Sequence, residues 1–298
     1  MPELPDITLY LEALRAHILG RRLERIRVLS PFLLRSVEPP VDAVEDARVA
    51  DFDRLGKRIA IGFDNDVWLI LHLMIAGRLQ WRADWPASFT RQTALAIRFE
   101  NGTLVLTEAG TKKRASLYVV RGRAGLAAHR PPGAELEQLN AAEFEAVLKR
   151  RNHTLKRALT DPRLLSGIGN AYSDEILHRA RLSPVVLTSR LTSEEARRLF
   201  VAAREVLAEW LIRLREKAHG EFPRKVTAFH AEMAVHGRFG KPCPVCNTEV
   251  QRIRYADNET NYCPRCQTNG RLLADRSLSR LLKKDWPKSI DELEQLQS

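Results

Sequence analysis

Three short stretches carry side chains whose type and spacing could do chemistry. The first is the pair Cys243-Pro-Val-Cys246 and Cys263-Pro-Arg-Cys266, which holds all four cysteines of the chain. A CxxC turn presents two sulfurs on one side, and two such turns make a tetrahedral thiolate site that suits zinc. With four protein ligands the site is closed, so the predicted Zn2+ is structural. Two disulfides are the alternative, disfavoured in a chain expected to be cytoplasmic. A redox role is disfavoured because two matched knuckles occur and no thioredoxin-like strand–helix–strand pattern surrounds them. The second stretch is Met1-Pro2-Glu3. A small second residue permits removal of Met1, which would leave Pro2 with a free secondary amine. An α-amino group titrates near ~8, against ~10.4 for lysine, so Pro2 could act as a nucleophile at neutral pH. Taken alone, a Met-Pro start is equally a tolerated second residue. The third stretch is Gly167-Ile168-Gly169-Asn170, just ahead of a helical pattern. Glycines let a backbone approach closely, a helix start offers free N–H groups to an anion, and Asn170 adds an amide. Lys156, one helix upstream, is placed to join it. By itself a Gly-x-Gly turn is weak evidence for a site, and Lys156 is equally read as a surface lysine.

The elements that must hold these residues follow from periodicity. Ile7, Leu11, Leu14 and Ile18 recur at helical spacing and predict a helix over 5–19, stopped by Gly20. The reactive terminus would sit just ahead of that helix. From Leu23 to about Val120 the pattern turns to strands (LERIRVL, KRIAIGF, VWLILHLM, ALAIRF, TLVL), with Asn101-Gly102 as a tight hairpin. This half reads as a β-sandwich or barrel. RPPGAE, Arg130 to Glu135, reads as a linker. Helical patterns follow, and Thr192 with Glu195 forms a capping box for a long helix to about Ala218. Between the two CxxC turns, VQRIRYADNETNY predicts a hairpin carrying Arg252 and Arg254, either for phosphates or simply solvated. The expected fold class is α+β and multidomain: an N-terminal β-sandwich with a leading helix (1–130), a helical domain (136–240), a four-cysteine zinc-finger hairpin (241–270) and a C-terminal tail (271–298).

Composition narrows the partner. The chain has 298 residues, 44% hydrophobic and 29% charged, with a formal net charge of +11 and a sequence pI of about 9.8. That is globular, and the basic excess, spread along the whole chain, points to a polyanion met by a folded face. No apolar run is long enough for a membrane span. The first residues lack a basic region before an apolar run, so a secretory signal is not expected.

These pieces, in this order, resemble the formamidopyrimidine-DNA glycosylase and endonuclease VIII family of base-excision repair enzymes. PELPD resembles the family's PELPE. LGKRIAIGF resembles the strand pair that carries its loop lysine, here Lys57. HLMIAGRL resembles its HLGMSG segment, LLSGIGNAYSDEIL its helix–two-turn–helix element, and the finger has its cysteine spacing. The resemblance implies a bifunctional enzyme, a DNA glycosylase and abasic-site lyase, acting as a monomer on double-stranded DNA with a damaged base or abasic site, in the cytoplasm at the nucleoid. It implies that Pro2 attacks C1′ and forms an iminium, that Glu3 donates a proton for sugar-ring opening, and that Lys57 contacts the phosphodiester and serves β-elimination. Lys156 and Asn170 match positions that grip the DNA backbone. The damaged nucleotide would be flipped from the duplex.

Four departures accompany the match. The arginine expected five residues before the third cysteine is Asn258, which places the second, δ-elimination in doubt, with Arg252 or Arg254 as candidate substitutes. The segment that usually supplies arginine and phenylalanine wedges reads TEAGTKKRASLYV, keeping charge through Lys112, Lys113 and Arg114. The methionine wedge position falls on Ile75, with Met74 one residue early. The stretch from Gly220 to Phe229 is shorter than the loop that caps oxidised guanine. The preferred lesion, oxidised purine or oxidised pyrimidine, stays open. A catalytically silent binder of damaged DNA on the same scaffold is the competing reading, opposed by intact Pro2, Glu3 and Lys57.

Overall fold

The computed structural model describes residues 1–223, 226–227, 230–255, 258–275 and 287–297. The chain divides into two compact units, one of residues 1–131 with 209–228 and one of residues 132–208 with 229–298.

The first unit is two four-stranded antiparallel sheets and a leading helix. Helix α1, Leu4–Ile18, buries Ile7, Leu14 and Ile18. The first sheet orders β1 (Leu23–Val28), β6 (Thr93–Phe99), β7 (Gly102–Glu108) and β5 (Gly77–Arg82); the second orders β2 (Val49–Leu55), β3 (Arg58–Phe63), β4 (Val67–His72) and β8 (Ser116–Arg121). One core joins α1 to both sheets through Ile59, Ile61, Leu69, Leu71, Ile97 and Leu104. The outer face of β3–β4 is covered as well. Ala60, Trp68 and Ile70 pack with Leu126 of a short helix α2, Gly122–Ala128. Coverage on both faces is why KRIAIGF and VWLILH run apolar rather than alternating. The hairpin signalled by Asn101-Gly102 forms with its turn one residue earlier: Glu100 and Asn101 make the turn, and Phe99 pairs with Gly102. Only glycine fits there: a Cβ would lie 2.4 Å from the Trp81 ring, at φ +157°.

The second unit is helical with a small β finger. Asn140 caps α3 (Ala141–Lys149), accepting the Ala142 and Glu143 N–H groups at 3.0 Å each. Helices α4 (Leu155–Thr160) and α5 (Asn170–Arg179) follow. The predicted capping box of α6 (Ser193–Ala218) is present: the Glu195 N–H reaches Thr192 Oγ1 at 3.2 Å and the Thr192 N–H reaches Glu195 Oε2 at 3.0 Å. From Glu209 the helix belongs to the first unit. The finger is the hairpin β11 (Gln251–Tyr255) and β12 (Asn258–Tyr262) with a short helix α7 (Pro264–Thr268); a last helix α8 spans Ile290–Gln297. The linker expected over 130–135 is ordered at its end. Ala134–Glu135 (β9) pairs in parallel with Leu165–Ser166 (β10), and the Gly133 N–H reaches Pro162 O at 3.0 Å. A turn-rich composition signals the chain break, but not the partner some thirty residues on.

Candidate active site and nucleic-acid interface

In the first unit the chain start is not a loose end. Glu3 occupies the N-cap of α1, with extended backbone (φ −117°), and Pro5 sits in the first turn. That is where proline's missing N–H costs nothing. The Glu3 N–H donates to Asp6 Oδ2 at 2.8 Å and the Ile7 N–H to Glu3 O at 2.9 Å. Both acids are buried, Glu3 at 2% and Asp6 at 0% exposure. Burial pushes the Asp6 carboxyl up to about 7, with the nearby Glu3 charge adding to the rise. Asp6 Oδ1 has no hydrogen-bond partner among the described residues. The terminal amine, here that of Met1, is held below its ordinary value, chiefly by burial; the charges of Glu3, Arg78, Asp6 and Lys57 all act on it. Lys57 reaches this corner from the two-residue turn between β2 and β3, where Leu55 pairs with Arg58 and Gly56 takes φ +63°. His72, at the end of β4 opposite Arg58, is pushed down to about 4 by burial and by Arg58 and Lys57, so it is neutral in ordinary buffers. Glu3 therefore lies beside the terminus, and Lys57 is near enough for its charge to act there. Asp6, Arg78 and His72 are additions that sequence reasoning missed; Asp6 could have been found as the third helical residue after an N-cap.

The wedge positions are resolved. Met74 takes φ +52°, and Ile75 stands 57% exposed in the turn after β4. Lys113 and Arg114 differ. The Lys113 ammonium is held on the Glu108 carbonyl oxygen, while Glu108 Oε1 accepts the Arg114 and Ala115 N–H groups at 2.8 and 3.0 Å. The Arg114 side chain is exposed. The short stretch after α6 is anchored in the first unit's core by Phe222 and Val226; Arg224, Lys225, Ala228 and Phe229 lie outside the described residues.

In the second unit two candidate DNA-binding residues, Lys156 and Asn170, meet at α5. Lys156 Nζ lies 2.5 Å from Asp174 Oδ1 and 2.6 Å from Asn170 O. Asp174 Oδ2 is 2.8 Å from His236 Nδ1 and accepts the Asn261 N–H at 3.2 Å. The Asn170 amide donates to Glu259 O at 3.0 Å, which ties the Gly-x-Gly turn to β12. Glu175, also buried, accepts the N–H groups of Ala234, Val235 and His236 at 2.7–3.0 Å. Arg252 lies 4.1 Å over the Phe239 ring and 3.6 Å from Glu259. The Arg254 side chain is exposed. Asn258 opens β12.

The four cysteine sulfurs lie within 4.8 Å of one another, with Cys246 Sγ 3.3 Å from Cys263 Sγ and Cys243 Sγ 3.9 Å from Cys266 Sγ. A tetrahedral zinc with bonds of about 2.3 Å needs sulfurs about 3.8 Å apart, so the four residues fit the ion. His178, one turn along α5 from Asp174, places Nε2 3.3 Å from Cys243 Sγ, an outer contact of the kind that orients a thiolate ligand.

Residues 1–113 match the family model of the formamidopyrimidine-DNA glycosylase N-terminal domain. Residues 131–217 match that of its H2TH domain, and residues 240–269 that of the zinc finger found in FPG and IleRS. The formamidopyrimidine-DNA glycosylase of Desulfitobacterium hafniense is 32% identical over 281 residues, covering 90% of this chain and 100% of the relative. The chain belongs to the formamidopyrimidine-DNA glycosylase family. The family's member from Thermus thermophilus is 33% identical over 278 residues, covering 91% of this chain and all of its own. The crystal structure of the MutM (FPG) protein from that organism superposes with a TM-score of 0.73 at 32% identity, covering 89% of this chain and 98% of its own. The Lactococcus lactis Fpg bound to FAPY-dG-containing DNA gives 0.79 at 24% identity, covering 89% of this chain and 100% of its own, a likeness of fold. Among the described residues, no helix is long and apolar enough to cross a membrane.

Proposed function

We propose that this glycosylase works through the amine of Pro2, freed by removal of Met1. The chain is a base-excision repair DNA glycosylase with abasic-site lyase activity, acting on DNA with a damaged base or abasic site, and carries a structural zinc. The observation that carries the proposed mechanism is that Pro2 and Glu3 are buried at the start of α1, beside a terminus on which the charges of Glu3, Arg78, Asp6 and Lys57 act. Burial disfavours the ammonium, which leaves a lone pair for attack. In the proposed sequence the Pro2 nitrogen bonds to C1′ as the glycosidic C–N bond breaks and the base departs. The ring oxygen is protonated by Glu3 as the sugar opens to an iminium. Loss of a C2′ proton then feeds electrons toward the iminium, and the C3′–O bond breaks with the phosphate as leaving group, Lys57 assisting. With Asn258 at the usual arginine position, β-elimination is the strand-cutting step of this reading.

On the DNA side, Asn170, Arg252 and Arg254 are the proposed phosphate contacts. Lys156, paired with Asp174, holds the Asn170 carbonyl from beside them, Arg114 takes the place of a wedge arginine with Lys113 fixing its loop, and Ile75 is the apolar wedge. Work at the nucleoid follows from DNA binding.

Borohydride trapping on a duplex with one abasic site tests the nucleophile. The Met1-processed protein should give a covalent complex mapped to Pro2 by peptide mass. Pro2→Glu, whose bulky second residue keeps Met1 in place, should give none. A crosslink mapped to any lysine, or none from the processed protein, overturns the reading.

A further inference from the structure

Residues 271–275 and 287–297, the described parts of the C-terminal segment that lies beyond all three family matches, pack against the zinc finger. Arg271 pairs with Ser289. The Leu272 N–H reaches Lys288 O at 2.9 Å and the Ile290 N–H reaches Gly270 O at 2.8 Å. Leu272 and Ile290 are both buried. Arg265 of α7 lies 2.7 Å from Asp291 and 3.7 Å from Glu294 of α8. Two contacts go to the hairpin itself. The Leu273 N–H donates to the buried Tyr262 hydroxyl at 2.8 Å, and the Arg254 N–H donates to Asp275 Oδ2 at 2.8 Å.

The second contact has a geometric meaning. Among the described residues, strand β11 pairs on one side only, with β12, so alternate N–H groups on its other edge have no ladder partner there. The Arg254 N–H is one of these. A carboxylate that is 2% exposed belongs there only if hydrogen bonds compensate its burial. It accepts from the strand that presents Arg252 and Arg254.

We propose that the C-terminal segment is a built-in brace of the zinc hairpin, and that Asp275 is a positioning residue that sets β11 at the height where its arginines meet DNA phosphate. The proposal rests on the reading of Arg252 and Arg254 as phosphate contacts. Asp275 itself touches no DNA; it acts through the strand. The Arg254 N–H needs an oxygen acceptor, which Asn at this position supplies and Ala does not.

The test uses the full chain and three readouts: zinc per chain, affinity for a duplex holding an uncleavable abasic analogue, and single-turnover cleavage at saturating protein. Asp275→Ala should retain one zinc and weaken binding by about tenfold or more, the scale of one hydrogen bond to a charged acceptor. Its log–log salt slope should drop by roughly one unit, as expected when one phosphate fewer is neutralised. Its saturated cleavage rate should stay within about twofold, and Asp275→Asn should bind like the parent. Wild-type affinity in Asp275→Ala overturns the brace, as does a loss of zinc parallel to the loss of binding, which would make Asp275 a folding staple. Arg252→Ala and Arg254→Ala separate the two readings. If they weaken binding while Asp275→Ala does not, only the brace fails. If neither weakens binding, the phosphate reading fails and takes the brace with it.

Discussion

The two units bury carboxylates in opposite ways. In the second unit the buried acids on α5 are met by donors: Asp174 by Lys156, His236 and the Asn261 N–H, and Glu175 by three consecutive backbone N–H groups. In the first unit Asp6 is as deeply buried, yet it has one backbone donor and an oxygen with no hydrogen-bond partner among the described residues. Satisfied acids hold parts together. An acid kept short of donors stays protonated into the neutral range and can respond to a charge that forms beside it. The difference teaches where the fold spends stability on architecture and where it leaves a group poised for chemistry.

The largest test strips the architecture from the second unit. Structural zinc supplies on the order of 10 kcal/mol to small fingers. Cys263→Ser or chelation should therefore expose the hairpin, and with it the Asn261 end of the Asp174 network. Hydrogen exchange should show the amides of β11 and β12 losing protection while those of β3 and β4 keep theirs. Hairpin amides that stay protected without metal would mean that the brace and the α5 network, not the ion, hold the finger.

A smaller change tests whether the satisfied acids are indeed structural. Lys156→Met leaves Asp174 buried with two donors. Breaking a buried pair from one side costs about 3 kcal/mol or more, read as a lower denaturant midpoint with unchanged slope. Arg215→Ala, which breaks an exposed 2.6 Å pair with Glu12, should shift the midpoint far less, since such pairs contribute at most about 1 kcal/mol. Equal shifts in the two variants would remove the distinction between a structural network and a surface ion pair.

Local signals made much of this legible. Asn101-Gly102, Thr192 with Glu195, and the two CxxC turns each set structure within a few residues, and each appears within a residue of where the sequence places it. The family was legible through the motifs around the terminus, Lys57 and the Gly-x-Gly turn. What stayed hidden is long-range. Asp174 meets His236 from 62 residues away, and Asp275 finds the Arg254 N–H across the finger. Nothing in either local sequence encodes the partner. The fate of Lys113 was hidden for a related reason. Its charge reads as available for DNA, but its ammonium sits on a carbonyl inside its own loop.

The effect that probes the contrast most directly comes from Asp6→Asn followed across pH. Burial raises the native carboxyl to about 7, against about 3.9 in an unfolded chain. Between those values the native state holds a proton that the unfolded state has released. Stability from this group is thus fully present below the unfolded value and declines as pH rises toward 7. Asparagine does not titrate, and its carbonyl can still accept the Glu3 N–H. The variant should then match the wild type or fall slightly below it near pH 4, and gain on it as pH rises, levelling off above 7. Glu175 is also raised by burial, but it titrates in both proteins and cancels from the difference. Thermal unfolding of both proteins at pH 5 and pH 8 reads the gap. A gap that does not widen would place a donor on Asp6 in solution, and the first unit's acid would then be satisfied like those of the second.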